Sequence, residues 1–152
     1  MNTITAAITA VGGYVPDFVL SNKVLETMVD TNDEWITSRT GIKERRILKD
    51  EDKGTSFLAI KAAQDLLAKG NIDPLEIDLV IMATATADMP VAATGVYVAT
   101  EIGATNAFAY DLQAACSSFL YGMSAAAAYI QSGRYKKVLL IGADKMSSIV
   151  DY

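Results

Sequence analysis

The sequence predicts a layered α/β domain built on a largely parallel β-sheet. Segments with strand-like composition alternate with segments of helical periodicity along the chain, which is the pattern of βαβ units. The runs at residues 79–83 and 138–141 are apolar throughout, as in strands buried on both faces of a parallel sheet. A chain of 152 residues has the length of one domain and can bury a substantial core.

The first third of the chain contains short elements with recognisable ends. Residues 4–11 mix β-branched and small apolar residues before a glycine pair, which predicts a strand and a turn. Ser21 can cap one short helix, and residues 31–33 can cap a second helix that stops at Gly41. Residues 42–48 are expected to be extended.

Longer elements fill the remaining two thirds. Apolar residues recur at helical spacing from Thr55 onwards, and Gly70 is expected to end that helix. The elements predicted after it are a helical turn begun by Asp73-Pro74, a buried strand over 79–83, a helix over 91–102, a strand over 106–112, a helix over 117–131 and a buried strand over 138–141.

Composition excludes several classes of function. The formal net charge of −5 leaves no basic stripe for phosphates, so no nucleic-acid partner is expected. A single cysteine allows no internal disulfide and is consistent with a reducing compartment. With no histidine and one thiol, no zinc site is expected.

The sequence shows neither a signal peptide nor a membrane span. No Lys or Arg precedes Lys23, so a charged n-region is missing. The most apolar stretch, residues 114–130, is interrupted by polar residues and rich in alanine, and it falls short of a span. We therefore expect a cytoplasmic protein with no membrane partner.

Cys116 lies where a predicted strand passes into an apolar helix. Unpaired N–H groups and the helix dipole stabilise an anion at such a position, and the thiolate is the reactive form of cysteine. A small buried hydrophobe is the alternative, because free cysteine is among the most buried residue types. Position alone leaves both interpretations open.

Two motifs carry a family resemblance. Asp111-x-x-Ala-Ala-Cys116-x-x-Phe119 resembles the active-site elbow of thiolase-fold condensing enzymes, specifically β-ketoacyl-acyl carrier protein synthase III. The stretches at residues 28–36 and 39–45 are similar to an upstream motif of the same family. The resemblance runs from about residue 3 to residue 144, and it covers only the first half of a typical member.

The resemblance implies a thiolase-like half with a layered mixed, mostly parallel sheet and a buried Ala-rich helix (residues 125–128) after the nucleophile. Residues 1–152 would form the N-terminal thiolase-like domain, with the C-terminal half absent from this chain. Cys116 would accept an acyl group from acyl-CoA for decarboxylative condensation with malonyl-acyl carrier protein, which starts fatty-acid elongation. No cofactor is implied besides acyl-CoA as substrate.

The catalytic His–Asn pair of that family comes from its second half. This sequence has no histidine, and none of its asparagines matches the active-site context. We therefore expect the isolated chain to be incompetent for full condensation and to need the missing C-terminal half.

Three residues would bind the CoA portion of the substrate. The resemblance places Trp35 and Arg39 at the mouth of the pantetheine tunnel, with Thr31 nearby. The indole can stack on adenine, and the guanidinium can bind phosphate. A Trp packed in a domain corner and an Arg in a surface pair are the alternatives.

Residues 87–90 resemble the loop that crosses the family's dimer interface and closes the partner's acyl pocket. Met89 stands where an aromatic residue is common, and a plain surface methionine is the alternative. Gln113 and the pair Ser117-Ser118 also depart from the family pattern and leave the shape of the pocket open. A homodimer is implied.

Two other functions remain open. One is a different thiolase-fold acyltransferase, such as a hydroxymethylglutaryl-CoA synthase or a secondary-metabolite condensing enzyme. The other is a non-catalytic partner subunit, which would have no need of an intact Cys116.

Overall fold

The computed structural model describes residues 4–151, which form two compact units. The larger unit comprises residues 4–14 and 53–144, and the smaller unit comprises residues 15–52 and 145–151.

A three-stranded parallel sheet forms the centre of the larger unit. Its strands are β3 (Leu79–Ala83), β4 (Phe108–Leu112) and β5 (Val138–Gly142), in the order β4-β3-β5. Leu79 lies opposite both Phe108 and Val138, so the three strands start and end at the same level. Every residue of β3 is buried, which confirms the prediction of a parallel sheet with a strand covered on both faces.

Helices cover both faces of this sheet. They are α3 (Thr55–Gly70), α4 (Thr94–Glu101) and α5 (Ser118–Gln131). Helix α4 connects β3 to its neighbour β4, and α5 connects β4 to β5 on the other side of β3. The two connections run in opposite directions across the sheet, so right-handed crossovers place α4 and α5 on opposite faces. Helices α3 and α4 pack on one face, and α5 packs on the other.

The core lies between the sheet and the α3–α4 layer. Alternate strand residues point into it, as the period of a strand requires. Burial of each large aliphatic side chain contributes roughly 1.5–3 kcal/mol to folding. Members of this core include Ala59, Ala63, Leu67, Val80, Met82, Val98, Ile102, Leu139 and Ile141.

Helix α5 is covered on one side only. Gly122 lies against Leu140 of β5 and is buried, whereas Leu120 is 64% exposed. Phe119, Tyr121 and Met123 are also exposed. Within this chain the sheet covers one face of α5 and leaves apolar side chains of the helix exposed.

Residues 4–14 correct the strand predicted over residues 4–11. They form no strand, and Ile8 is 73% exposed. A single segment with strand composition cannot satisfy its own backbone groups, so it needs a neighbouring strand to pair with. The segment is instead attached to α3, where the Gly13 N–H donates to Asp65 at 2.9 Å and Tyr14 packs edge-on against Phe57.

Most predicted helix ends are confirmed to within one residue, and the start of one helix is shifted. The helix predicted at residue 91 begins only at Thr94, because the acceptor for its first N–H groups is Asp111, far along the sequence. Gly70 is the last residue of α3, and Asn71 takes the left-handed conformation that ends it. A turn of 3-10 helix begins at Pro74, where the Asp73 side chain accepts from the Leu75 N–H.

The smaller unit is an antiparallel strand pair with two helices. Its strands are β1 (Phe18–Ser21) and β2 (Glu44–Ile47), and its helices are α1 (Asn22–Leu25) and α2 (Asp33–Thr40). A small core of Leu20, Leu25 and Ile36 joins them. The predicted caps are confirmed, since Ser21 caps α1 and Gly41, at φ +72°, ends α2.

Within residues 4–151, the structure contains no helix with both the length and the hydropathy needed to span a bilayer.

Gly12 and Gly13 provide a matched test of the packing of residues 4–14 on α3. A Cβ at Gly12 would lie 2.4 Å from the Leu66 backbone nitrogen, whereas a Cβ at Gly13 would meet nothing within 4 Å. We predict that Gly12→Ala lowers the free energy of unfolding by about 1–3 kcal/mol, because helix backbone atoms cannot move aside. Urea denaturation should show a change within about 0.5 kcal/mol for Gly13→Ala. Equal stability of the two variants would contradict this packing.

Candidate active site

Cys116 lies in the connection between β4 and α5. Strand β4 ends at Leu112, residues Ala115–Ser117 form one turn of 3-10 helix, and α5 begins at Ser118. The Cys116 side chain is exposed. An exposed thiol contradicts the alternative of a buried structural cysteine, and it leaves the sulfur reachable by a substrate.

The backbone before Cys116 is strained. Ala115 has φ +47°, one of two left-handed conformations at non-glycine residues among residues 4–151. This conformation costs a residue with a Cβ about 1–2 kcal/mol. Strain of this kind persists only where the surrounding structure enforces it, and it concentrates at functional sites.

Three hydrogen bonds close the turn around Cys116. The Ser117 N–H donates to the Ala114 carbonyl at 3.0 Å, and the Ser118 N–H donates to the Ala115 carbonyl. In the opposite direction, the Ala114 N–H donates to the Ser118 hydroxyl at 2.6 Å. The ring spans residues 114–118, so Cys116 lies between its two ends. We call residues 114–118 the elbow.

Asp111 connects β4 to the start of α4. Its two carboxylate oxygens accept from the Thr94 and Gly95 N–H groups, each at 2.7 Å. Hydrogen bonds from a helix N-terminus to a carboxylate are charge-assisted and strong. Gly95 allows the close approach, because a Cβ there would lie 3.1 Å from Asp111. The sequence motif contains Asp111, but its spacing from Thr94 gave no sign of this contact.

A second carboxylate organises the same edge of the sheet. Asp144 follows β5 and accepts from the Thr84 hydroxyl at 3.0 Å and from the Ala85 N–H at 2.7 Å. Thr84 follows β3, so these contacts join the carboxyl ends of two neighbouring strands. Ligands of parallel α/β sheets bind at this edge. Sequence reasoning missed Asp144, although its position at a strand end was a usable signal.

Asp88 fixes the base of the loop that contains Met89. Its carboxylate accepts from the Ser56 N–H at the start of α3, at 3.2 and 3.3 Å. Its own N–H donates to the Thr94 hydroxyl at 3.1 Å. Beyond this anchor, Met89 is 55% exposed. The loop therefore presents a flexible thioether to its surroundings from a fixed base.

Two ionisable groups near the sheet have shifted pKa values. Hydrogen bonds from the backbone N–H of Lys137 and, next, of Lys136 hold the pKa of Asp78 below its usual value of 3.8. Burial, and then the neighbouring Tyr129, raises the pKa of Tyr110 above its usual value. Both groups therefore keep one charge state near neutral pH, Asp78 ionised and Tyr110 neutral.

In the smaller unit, Trp35 and Arg39 share one face of α2. The Arg39 guanidinium carbon lies 4.6 Å from the centre of the Trp35 ring, a cation–π contact. Trp35 is 52% exposed, so its other surface is available to a ligand. Thr31 is half-buried at the preceding turn, and the Asn32 side chain caps α2 by accepting from the Trp35 N–H at 2.8 Å.

Asn22 holds α2 in place within the smaller unit. Its side chain is buried and donates to Asp33 at 2.7 Å and to the Ile42 carbonyl at 2.7 Å. Its amide oxygen accepts from Arg45. Asp33 and Arg45 of the upstream motif thus have a structural role, which is to hold the helix that presents Trp35.

Within residues 4–151, no group of three or more His, Cys, Asp or Glu side chains is arranged to bind a metal ion.

Comparison with known proteins gives a consistent result. The family model for 3-oxoacyl-[acyl-carrier-protein] synthase III matches residues 110–152. The β-ketoacyl-[acyl-carrier-protein] synthase III 2 of Bacteroides thetaiotaomicron is 55% identical over 152 residues, which are 100% of this chain and 45% of that relative. The synthase III of Chlorobium chlorochromatii is 56% identical over 147 residues, again 45% of its length.

Solved structures share the fold. The 3-oxoacyl-[acyl-carrier-protein] synthase III of Aquifex aeolicus superposes with a TM-score of 0.90 at 43% identity, over 99% of this chain and 47% of that one. The priming β-ketosynthase of the R1128 polyketide pathway superposes with a TM-score of 0.93 at 35% identity, over 98% of this chain and 44% of that one. The predicted thiolase-like half is confirmed.

The chain spans less than half the length of the curated relatives it matches. Its sequence and fold nevertheless agree with theirs over essentially all of its own length. Over essentially all of its length, the chain is therefore similar in sequence and fold to β-ketoacyl-acyl carrier protein synthase III proteins.

Proposed function

We propose that this chain is the acyl-accepting half of a β-ketoacyl-acyl carrier protein synthase III, an acyltransferase that starts fatty-acid elongation. The observation that carries the proposal is the exposed thiol of Cys116 at a strained turn between a strand and a helix. The same turn is part of the region that matches the family model.

The first half-reaction is acyl transfer to Cys116. The thiolate attacks the thioester carbonyl of acyl-CoA, the tetrahedral intermediate collapses, and the CoA thiolate leaves and takes up a proton. The developing oxyanion needs a donor within hydrogen-bonding distance. The Cys116 N–H is our candidate, because it belongs to the same residue as the thiol and donates no hydrogen bond to another group within residues 4–151.

The second half-reaction needs groups that this sequence does not contain. Malonyl-acyl carrier protein loses CO₂, and the resulting carbanion attacks the acyl-Cys116 thioester. The β-ketoacyl-acyl carrier protein then leaves, and the Cys116 thiolate is regenerated. Because the chain has no histidine, we assign decarboxylation to the C-terminal half of the enzyme and propose that the isolated chain stops at acyl transfer.

Trp35, Arg39 and Thr31 form the proposed CoA site. The exposed surface of the Trp35 ring can stack on adenine, and the neighbouring guanidinium can bind a phosphate. The contact with Arg39 favours this role, since it fixes a cation beside an aromatic surface before the ligand arrives.

The open face of α5 supports a partner for this half. Phe119, Leu120 and Tyr121 are exposed along it. An exposed apolar face of this kind marks an interaction surface. We propose that the C-terminal half of the enzyme covers it and that the complete enzyme is a homodimer, with Met89 contributing to the acyl pocket of the other subunit.

A second candidate is a secondary-metabolite condensing enzyme. The superposition on the R1128 priming β-ketosynthase favours it specifically. The two candidates share the chemistry of Cys116 and differ in acyl donor and carrier protein. A hydroxymethylglutaryl-CoA synthase has less support, because relatives that are 53–55% identical to this chain are synthase III proteins. A non-catalytic partner has less support, because Cys116 is exposed.

The proposed enzyme acts in the cytoplasm and uses acyl-CoA as its substrate without a further cofactor. Its single cysteine is consistent with a reducing compartment. Acyl carrier protein is the second partner.

Trp35 is the only tryptophan, so its fluorescence reports CoA binding directly. We predict that CoA quenches Trp35 emission in the isolated chain, because adenine stacks on the indole. Arg39→Ala should weaken binding about tenfold, since it removes a charge-assisted contact to phosphate. Lys136→Ala removes one positive charge from the larger unit and should leave the quenching of Trp35 fluorescence by CoA unchanged. Acylation of Cys116 by acyl-CoA without any change in Trp35 emission would contradict this site.

Condensation by a reconstituted enzyme tests the assigned reaction. We predict that the chain, combined with the missing portion of a close relative, forms β-ketoacyl-acyl carrier protein from acetyl-CoA and malonyl-acyl carrier protein. Cys116→Ala should lower that rate by at least about a thousandfold, because it removes the nucleophile. Ser132→Ala, beyond the end of α5, serves as the control. An unchanged rate in Cys116→Ala would show that the nucleophile is assigned wrongly.

A further inference from the structure

The family that this chain resembles frequently has Ala-Gly where this chain has Ser117-Ser118, and the structure gives Ser118 a specific contact. Its side chain is almost completely buried, at 3% exposure. Its hydroxyl oxygen lies 2.6 Å from the Ala114 nitrogen and accepts that N–H across the elbow. A residue without a hydroxyl could not make this bond.

This bond runs along the chain in the direction opposite to the two backbone hydrogen bonds of the elbow. The Ser117 and Ser118 N–H groups donate back to Ala114 and Ala115, whereas the Ala114 N–H donates forward to Ser118. Cys116 lies inside the closed ring. The left-handed Ala115 is held between its two ends, so the ring opposes relaxation of the strained residue.

The bond also determines which backbone N–H groups of the elbow are free to donate to the substrate. Within residues 4–151, the Ala114 N–H donates to the Ser118 hydroxyl and to no other group. Without the Ser118 hydroxyl, this half-buried amide would have to turn toward water or toward an incoming thioester oxygen. With the hydroxyl in place, the Ala115 and Cys116 N–H groups are the amides of the elbow that remain for an oxyanion.

We infer that Ser118 is a positioning residue for acyl transfer to Cys116, acting through the Ala114 amide to hold the elbow in its reactive geometry. The inference rests on the proposed function. It deepens that function by assigning a task to a residue in which this chain departs from the pattern of the family it resembles.

Two reactions of the same thiol separate positioning from simple stability. Acetyl transfer from acetyl-CoA needs the sulfur and an oxyanion donor in one geometry, whereas alkylation by iodoacetamide needs only an accessible thiol. In Ser118→Ala we expect acetylation of the intact chain to slow by at least about tenfold, while alkylation changes by less than about twofold. Ser124→Ala removes an exposed hydroxyl from α5 and should leave both rates unchanged.

The outcomes are distinct. Parallel loss of both rates, or no change in either, would overturn the positioning role, because a purely structural contact acts on every reaction alike. If the unaltered chain accepts no acetyl group, the proposed function itself fails, and the inference fails with it. Should Ser118→Ala not fold, hydrogen exchange of the Ala114 amide in the unaltered chain tests the bond on which the positioning role depends. Slow exchange is expected, and exchange at the rate of a free amide would contradict the bond.

Discussion

The left-handed backbone of Ala115 is the constraint on which the candidate site depends. A residue with a Cβ enters this conformation at a cost, and the elbow offsets that cost with hydrogen bonds that would otherwise be lost. The turn takes the chain directly from the end of β4 into α5. It leaves Cys116 exposed.

Carboxylates stabilise the surroundings of this turn without needing cations. Asp111, Asp88 and Asp144 each accept from backbone N–H groups at helix starts or strand ends. Such contacts satisfy donors that the ends of regular elements leave unpaired. Together they tie the starts of α3 and α4 and the connections after β3, β4 and β5 into one edge. The elbow therefore stands on fixed loops, which is the support that a precisely oriented nucleophile needs.

Whether a feature of the fold could be predicted depended on how far apart in the sequence its contacting residues lie. Strand β3 and the end of α2 were predictable, since continuous apolar composition and Gly41 are local signals. The start of α4 was not, because Asp111 supplies its cap from another part of the chain. The strand predicted over residues 4–11 failed for the same reason, because a strand requires a pairing partner that its own composition cannot reveal.

In the candidate site, too, local sequence features could be predicted, whereas contacts that depend on side-chain conformation could not. Cys116 could be found from its position and motif, and its exposure agrees with a reactive thiol. Trp35 and Arg39 were placed on one helix face by their spacing, but the stacking of the guanidinium on the indole depends on side-chain conformations that spacing does not determine. The role of Ser118 was hidden, because a serine beside a cysteine gives no sign that its hydroxyl turns back to Ala114.

The central claim is that the elbow presents Cys116 as an acyl acceptor. Intact mass spectrometry of the folded chain after incubation with acetyl-CoA, followed by peptide mapping, tests it most directly. The account predicts one acetyl group per chain, located on Cys116 and absent from Cys116→Ala. A folded chain that gains no acetyl group, or one that gains it equally in Cys116→Ala, would contradict the account.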